Sequence, residues 1–449
     1  MEDPSDSQYG ENNYLVSHNN NPVIKLIQSC RYQSEHIDYV VTVNLGNKME
    51  LSFGKEYEQF REEVRAFISK HHHKAPRETG RPSKKAKDWQ KRLIEQGYAA
   101  RTIPKKFGGY GGSPNIIESR IIAEEFARAR ISTGLTGQGV SMLIPTLLEM
   151  GSEKQKQEFI KPTLTGDIVW CQGYSEPEAG SDLASLRTQA VLDNNEWVIN
   201  GQKIWTSSAH IADWMFCLVR TELDMPKHKG ISFLLVKMDT PGIEVRPLVD
   251  MTGKANFNET FFTDVRIPAN QIVGKRGEGW LVANSILGHE RDSLGDPNVT
   301  LTRLHALIDL MKNETVDGKP IIDLPIYQDR LIQIQGRVMA MRYNDMRILS
   351  AKINGKKDAG LARLIVKLQG TELRHDLEGL AIDVMGELGI GYGKENDYLR
   401  EKGNWQAQYM FYLGLIIGGG TSQIQKNIIA ERGLGLPKEP RATAIPPQN

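Results

Sequence analysis

The order of periodic segments constrains the fold of this chain more than any other feature of its sequence. Between residues 49 and 167, apolar residues such as Phe60 and Val64 recur every three or four positions, which predicts amphipathic helices. Between residues 168 and 275, short runs rich in β-branched and aromatic residues end at Gly or Pro, which predicts strands. Helical periodicity returns over residues 276–436. Helices, then strands, then helices predict an α+β protein built from three parts.

Both ends of the chain differ from this body. Residues 1–48 are rich in Asn and Ser, and helical periodicity begins only after Met49. We therefore expect this segment to be a flexible tail or a mis-assigned start, with Met49 as the initiator. Residues 437–449 are rich in Pro and are predicted to form a disordered tail.

Composition excludes several classes of partner and site. Lys plus Arg number 56 against 55 for Asp plus Glu, so no net charge attracts the chain to nucleic acid or to an anionic membrane. No apolar run approaches the ~20 residues that span a bilayer. The three cysteines form no Cys-x-x-Cys pair, which argues against a disulfide framework or a zinc site. Since no secretory signal is visible, the sequence predicts a cytoplasmic protein.

Three consecutive histidines, His71, His72 and His73, form the one pattern that suggests a metal. Adjacent residues on a helix point in different directions, so the three rings cannot converge on one ion. The sequence therefore predicts a solvated surface there, and no metal is expected.

Two segments carry the chemistry of the middle part. The first, Trp170 to Leu183, runs from a strand end into a Glu-Pro turn and a Gly-Ser-Asp cluster, which brings hydroxyls and main-chain amides beside a groove. The second, Gly201 to Ser207, is expected to place the indole of Trp205 and two hydroxyls at the start of a strand. A flat aromatic face with several short donors suits a planar heterocycle rich in acceptor atoms, such as a flavin.

These two segments closely resemble those of the acyl-CoA dehydrogenase family, as do two shorter patterns downstream, Gly420 to Gln425 and Leu287 to Arg291. The resemblance extends over roughly residues 49–440. It implies an N-terminal helical domain (49–167), a middle β-barrel domain (168–275) and a C-terminal four-helix-bundle domain (276–436), with FAD between the barrel and the C-terminal helices. It also implies α,β-dehydrogenation of an acyl-CoA thioester, in which a carboxylate removes the α proton and the flavin N5 accepts the β hydride.

The resemblance offers two positions for that carboxylate. Many members carry it two residues before the Thr of the Gly-Thr-Ser-Gln pattern, which here is Gly419. The second position, as in isovaleryl- and long-chain-type members and in steroid side-chain dehydrogenases, corresponds to Glu290. A base there fits a branched, long or bulky acyl group. The main-chain N–H of Gly419 would then help to bind the thioester carbonyl, although a plain glycine turn before a helix explains the residue as well.

The local pattern around Glu290 supports the second position independently. Glu290 follows Ile286 and precedes Leu294 at steps of four, so it lies on an apolar stripe of its own helix. A carboxylate on a core-facing stripe requires a reason. It is either the base, whose pKa is raised by burial, or a buried partner of an arginine such as Arg291. The glycine at position 419 favours the base, since the reaction is otherwise without one.

The resemblance also implies cofactor contacts. Tyr174 and Ser175 would meet the flavin ring, Trp205 would stack beside it, and Ser207 would bond its N5 edge. A Trp on a strand otherwise usually belongs to the core. Thr421 can cap the helix that follows it, and capping alone would also explain it. The complete set predicted to bind the cofactor is Tyr174, Ser175, Trp205, Thr206, Ser207, Gln328, Thr421 and Gln423.

Two further residues are predicted to contact the substrate. Ser181 would lie near the thioester or the pantetheine arm. Arg291 would hold the CoA arm or orient Glu290, and a plain surface ion pair is the alternative for it.

Three departures from the family pattern bear on assembly. Glu178 replaces a turn glycine near the ring, the Arg-x-x-Phe-Gly text is missing before Gln328, and residues 383–389 lack the Gln and paired Gly of ordinary homotetramers. These losses resemble branches that form two-plus-two heterotetramers with unequal flavin sites. We expect a homotetramer or such a heterotetramer, with an electron-transfer flavoprotein as acceptor. We expect an apolar stripe on the C-terminal helices to mediate this assembly: Leu364, Leu368, Leu377, Leu380 and Val384.

Two other functions are compatible with the same patterns. An acyl-CoA oxidase or flavin monooxygenase on this scaffold would differ in oxygen access rather than in any motif. A non-catalytic subunit that completes a neighbour's flavin site would not need a carboxylate on a core-facing stripe. Glu290 therefore favours the dehydrogenase over that subunit.

Overall fold

The computed structural model describes residues 54–76, 80–353, 361–393 and 398–438. Both predicted tails lie outside these ranges, apart from residues 437 and 438. Residues from Tyr57 onward form one compact unit. Helices, a sheet and further helices follow one another along it, which confirms the predicted α+β class. No helix within the described ranges is long and apolar enough to cross a bilayer.

The described residues of the N-terminal part form five α-helices, three of which begin at a side chain that caps them. They are α1 (Glu58–His71), α2 (Lys84–Glu95), α3 (Ile116–Arg128), α4 (Ile144–Met150) and α5 (Glu153–Leu164). Ser83 caps α2, and Ser152 caps α5 in a capping box, so both helices start where a hydroxyl can accept from a free main-chain N–H. Their apolar faces bury Val64, Trp89 and Phe126 in one core.

The strands of the middle part are β1 (Trp170–Gly173), β2 (Gln189–Asp193), β3 (Glu196–Lys203), β4 (Trp214–Arg220), β5 (Ile231–Lys237), β6 (Ile243–Leu248), β7 (Phe257–Pro268) and β8 (Ile272–Val273). They form a mixed sheet in the order β6-β7-β3-β2-β4-β5-β8, with β1 parallel to β4. Asn194 and Asn195 both have positive φ, 47° and 67°, and join β2 to β3 in a two-residue hairpin. The turn residues of the sequence therefore fix this register.

The C-terminal part is helical apart from a two-stranded ribbon. Its elements are α6 (Gly279–Leu294), α7 (Pro297–Asn313), β9 (Thr315–Val316), β10 (Lys319–Pro320), α8 (Pro325–Ile353), α9 (Leu361–Val384), α10 (Glu387–Ile390), α11 (Asn404–Ile417) and α12 (Ser422–Ile428). Helix α9 is central, because α6, α7, α8, α11 and α12 all pack against it.

This central position corrects one prediction. The apolar stripe expected to mediate assembly lies mostly inside the chain itself. Leu377, Leu380 and Val384 belong to the C-terminal core, and Leu368 is buried as well. The prediction that this stripe forms an assembly surface is wrong, because the side chains of neighbouring helices in the same chain already cover it.

Helix α6 connects the sheet to the C-terminal helices. It packs against β5 and the π-helical turn Gly139–Leu143 on one side and against α9 on the other. Two glycines allow the closest approach, since a Cβ at Gly370 of α9 would lie 3.0 Å from the Cα of Gly295, just after α6. Helix α6 is thereby held between the sheet and α9.

Candidate functional site

Glu290 lies near the C-terminal end of α6, on the stripe that the sequence predicts. One turn and two turns earlier, Ile286 and Ala283 are fully buried in the core shared with the sheet. Glu290 itself is half-buried. The helical period therefore turns a carboxylate toward the junction between the middle part and the C-terminal part.

The surroundings of Glu290 act on its pKa in opposite directions. Burial raises the pKa of this carboxyl above its usual range, because the charged form loses hydration. The positive charges of Arg291 and Lys367 and a hydrogen bond from Gln172 offset part of that rise. Gln172 is oriented by Gln138, whose Nε2 donates to Gln172 Oε1 at 3.2 Å and leaves the other amide group for Glu290.

Gly419 lies opposite the Glu290 carboxyl. A Cβ at Gly419 would be 3.4 Å from Glu290 Oε1 and 2.9 Å from Leu294 Cδ1. Gly419 also has φ +66°, a conformation that favours glycine. Because Gly419 has no side chain, the main chain of this turn can lie close to the Glu290 carboxylate.

Tyr174 follows strand β1 directly and lies close enough to Glu290 for the two side chains to interact electrostatically. Its ring packs edge-on against Phe216 and Phe233, with centroids 6.0 Å and 6.5 Å away. Its hydroxyl is buried and makes no hydrogen bond within the described part of the chain. Burial, and to a lesser extent the charge of Glu290, raises the pKa of this phenol well above its ordinary value. The group is therefore a neutral O–H with no partner beside the carboxylate.

A buried ion pair, which the sequence analysis did not identify, fixes the loop after Tyr174. Lys203 at the end of β3 is fully buried, and its Nζ donates to Glu176 Oε1 at 2.7 Å and to the Tyr174 carbonyl at 3.2 Å. Glu176 also accepts from the amides of Arg187 and Thr188, at 2.6 Å and 2.9 Å. The Glu-Pro turn and the Gly-x-Lys-x-Trp text, both visible in the sequence, were the signal for this pair.

The sequence predicts Trp205 at the start of a strand, but in the structure it follows one. Strand β3 ends at Lys203, and the chain then turns with φ +59° at Trp205. That turn leaves 58% of the residue's surface exposed, and the indole meets Phe257 edge-on at 5.9 Å. A large aromatic face is therefore presented to the surface and not to the core.

Three buried polar atoms beside this turn have no hydrogen-bond partner in the described part of the chain. They are Thr206 Oγ1, Asn258 Oδ1 and Thr260 Oγ1. Thr206 and Asn258 are joined through their main chains, since Thr206 N donates to Asn258 O at 3.0 Å. Buried polar groups are almost always satisfied in native proteins, so a cluster of orphans fits a polar ligand. Of these three residues, only Thr206 lies in a segment whose sequence predicts cofactor contacts.

The turn before α12 brings together further predicted residues. Thr421 Oγ1 accepts from Ile424 N at 3.2 Å, which confirms that Thr421 can cap the helix. Gln423 is exposed in the first turn, and the neighbouring Ser422 donates to Glu372 at 2.8 Å. Lys367 of α9 binds the chain on both sides of the glycines, because its Nζ donates to Ile416 O at 2.9 Å and to Gly420 O at 2.7 Å.

The remaining predicted residues are less tightly placed. The Ser175 carbonyl accepts from Ile204 N at 2.9 Å, which joins the two middle segments. Ser181 is exposed, and Ser207 is half-buried after Trp205. Gln328 lies half-buried in the first turn of α8, where its main-chain N–H donates to Leu324 O at 2.9 Å.

Glu178, the charged residue near the ring position, forms an exposed ion pair with Arg187 at 2.8 Å. The carboxylate therefore has a partner at the surface. In contrast to Glu290, it lies on no apolar face.

This chain is similar in sequence and in fold to known proteins. Sequence models described as the N-terminal, middle and C-terminal domains of acyl-CoA dehydrogenase match residues 54–167, 171–265 and 277–434. Acyl-CoA dehydrogenase IpdE1 of Mycobacterium tuberculosis is 38% identical over 353 residues, which cover 78% of this chain and 88% of that protein. The solved structure described as the Tcur3481-Tcur3483 steroid ACAD aligns with a TM-score of 0.74 at 29% identity, over 87% of this chain and 100% of that one. The ChsE4-ChsE5 complex from Mycobacterium tuberculosis aligns with a TM-score of 0.72 at 28% identity, over the same shares.

Proposed function

Because this chain belongs to the acyl-CoA dehydrogenase family, we propose that it oxidises an acyl-CoA thioester to the 2-enoyl-CoA, with Glu290 removing the α proton and FAD accepting the β hydride. One observation supports the proposal most. The Glu290 carboxyl oxygen lies 3.4 Å from the point where a side chain at Gly419 would begin. The two positions that the family uses for its base therefore face the same point, so Glu290 can reach the substrate carbon that a carboxylate at residue 419 would serve.

The surroundings of Glu290 suit proton removal from carbon. A stronger base transfers such a proton more readily, and burial raises the pKa of Glu290. Arg291, Lys367 and Gln172 stabilise the ionised form, so the carboxylate remains available to accept the proton. The balance between these effects supports a base and not merely a buried structural anion.

The residues of the middle part fit FAD. Thr206, Asn258 and Thr260 offer buried polar atoms without partners, and Trp205 presents an indole face. FAD, when bound, supplies the acceptor for the hydride. The ion pair of Lys203 and Glu176 holds the loop that carries the proposed ring contacts. The proposed cofactor set also includes Tyr174, Ser175, Ser207, Gln328, Thr421 and Gln423.

The glycine turn suits the thioester. Proton removal places negative charge on the carbonyl oxygen, and a main-chain N–H held in position stabilises such charge. In this proposal the N–H of Gly419 donates to that oxygen. Ser181 and Arg291 bind the pantetheine and CoA arm.

The proposed substrate and partners of this chain are based on its similarity to relatives of known structure. Gly419 leaves room next to the base, and a relative of known structure is described as a steroid ACAD. We propose a bulky, branched or polycyclic acyl group. Another relative is a complex of two different chains, ChsE4 and ChsE5, which favours a two-plus-two heterotetramer over a homotetramer. An electron-transfer flavoprotein in the cytoplasm would take the electrons.

The visible spectrum of the purified protein tests the proposal. The protein, co-expressed with any required partner, is expected to be yellow and to bleach anaerobically with a bulky acyl-CoA. A matched thioester with two methyl groups on the α carbon has no α proton and is expected to leave the colour unchanged. A protein that stays colourless with added FAD and every candidate partner would contradict the proposal.

A further inference from the structure

Lys367 is a buried lysine to which the proposed reaction assigns no contact with the substrate or the cofactor. It lies in the middle of α9 with only 1% of its surface exposed. Its Nζ donates to two main-chain carbonyls, Ile416 O at 2.9 Å and Gly420 O at 2.7 Å. A fully buried lysine is rare, because its charge loses hydration, so its retention requires a reason.

The two carbonyls bracket the turn that faces Glu290. Ile416 is in the last turn of α11, and Gly420 comes just before the Thr421 cap of α12. This segment ends in three consecutive glycines, of which Gly419 and Gly420 have φ of +66° and +96°. Glycine has no side chain to restrict the backbone in this conformation. One ammonium therefore fixes both ends of a segment that has little stiffness of its own.

The same ammonium contributes charge to the site. The charged groups that act on Lys367 are Glu290 and Arg291 of α6 and Glu372 of α9 itself. Burial lowers the pKa of Lys367 to about 8, and the two carboxylates oppose that fall. At neutral pH the group is still largely a cation. Glu290 faces this cation, Arg291 and the neutral phenol of Tyr174.

Resting on the proposed role of Glu290 as the base, we propose that Lys367 is a positioning residue: its ammonium fixes the glycine turn opposite Glu290 and keeps the carboxylate ionised for proton removal. Lys367 has two separable effects in this proposal. Its hydrogen bonds order the turn that presents the Gly419 N–H. Its charge extends to lower pH the range over which Glu290 is a carboxylate.

Three substitutions separate these effects. Lys367→Gln keeps an N–H donor and loses the charge, Lys367→Met loses both, and Lys367→Arg keeps the charge. Lys156→Met is the matched control, because it removes a partly buried lysine of α5 whose Nζ lies 3.1 Å from Glu153, away from the turn. The rate of anaerobic flavin reduction by an acyl-CoA is measured by rapid mixing as a function of pH. The acid limb of this profile, the fall in rate toward low pH, reports the protonation of Glu290.

In Lys367→Gln and Lys367→Met the acid limb is expected to move to higher pH by about one unit, since a nearby cation favours the ionised carboxylate. It is expected to stay in place in Lys367→Arg and Lys156→Met. Hydrogen exchange of the amides of residues 418–425 is expected to quicken in Lys367→Met and to stay close to wild type in Lys367→Gln. A purely structural lysine would change the exchange without moving the limb.

A second measurement needs no turnover. The free energy of unfolding, followed against pH, contains the titration of Glu290, and Lys367→Gln is expected to extend that titration to higher pH. Below pH 7, where Lys367 itself stays protonated in the folded and unfolded states, the difference is expected to vanish when Glu290→Gln is also present. If no acyl-CoA reduces the flavin, the proposed function fails, and this unfolding series still decides whether Lys367 acts on Glu290. An unmoved limb in both Lys367→Gln and Lys367→Met, or an unchanged unfolding titration, would overturn the proposal.

Discussion

Among single residues, Glu290 combines a chemical role with a cost to the fold. Its pKa is raised in the folded protein from an ordinary value of 4.5, so the folded chain holds this proton more tightly than the unfolded chain does. Between 4.5 and the raised pKa the unfolded state binds fewer protons, and stability falls as pH rises. The stabilising contribution of the protonated carboxyl is fully present below 4.5 and is lost as pH rises through the folded pKa.

Glu290→Gln is therefore expected to be more stable than wild type at neutral pH. Gln has nearly the same shape and carries no charge to bury. The advantage is expected to grow as pH rises from 4.5 and then to level off. Urea unfolding of both proteins at equal flavin content, at several pH values, measures it. An advantage that does not depend on pH would show that the carboxyl titrates normally in the fold.

Gly419 gives a second prediction for a single residue. Gly419→Ala places a Cβ at φ +66°, 2.9 Å from Leu294 Cδ1, and is expected to cost ~1–2 kcal/mol of stability. Gly418→Ala is the matched control, since Gly418 has φ −64° and tolerates a side chain conformationally. Thermal unfolding compares the two. An equal loss in both variants would contradict the strained turn.

At the scale of elements, the buried pair of Lys203 and Glu176 joins the end of β3 to the loop after β1. Four hydrogen bonds fix its two side chains: from Lys203 to the Tyr174 carbonyl and to Glu176, and to Glu176 from the amides of Arg187 and Thr188. The proposed ring contacts lie on the two segments that this pair connects. The position of the loop thus depends on a charge pair within the sheet.

Lys203→Met is expected to lose ~3–5 kcal/mol of stability, because it leaves the Glu176 carboxylate buried without its cation. It is also expected to release FAD. Adding Glu176→Gln to Lys203→Met removes the uncompensated charge and is expected to restore part of the stability. Unfolding and the visible spectrum of the two variants check this. If the double variant is less stable than Lys203→Met, the burial of charge is not the cause.

The same scale shows what the sequence could and could not predict. Glu290 was predictable because the helical period alone places it on the stripe of Ile286. The prediction for Trp205 was wrong because the local sequence does not show that β3 ends at Lys203 or that Trp205 adopts φ +59°. The prediction that the apolar stripe of α9 mediates assembly was wrong for a related reason. The sequence of an apolar helix face does not show whether residues of the same chain or of another chain pack against it. Asn258 and Thr260 were missed because only the pairing of β3 with β7 brings them beside Thr206 and Lys203.

At the scale of the whole molecule, several large apolar side chains of the C-terminal part remain exposed in the single chain. They include Ile326, Ile332, Ile390 and Ile417. Scattered exposed residues of this kind are common. Here they lie in the part that includes α8, which carries Gln328 of the proposed cofactor set.

Light scattering is accordingly expected to give a mass near four chains, alone or with a partner chain. We propose, as the family resemblance implies, that each flavin site is completed by residues of a second chain, so flavin content is expected to follow the assembled fraction. Separation by size with absorbance at flavin wavelengths measures both quantities. A fully active, stable monomer would contradict the prediction.

Rapid-mixing measurement of flavin reduction in Glu290→Gln tests the central claim most directly. The variant keeps the shape of the side chain and is expected to retain FAD, but it cannot accept the α proton. Loss of a positioned base typically costs ~10²–10⁴ in rate, so reduction by a substrate that bleaches the wild type is expected to slow by at least that much. Near-normal reduction in Glu290→Gln would show that the base is elsewhere and would contradict the account.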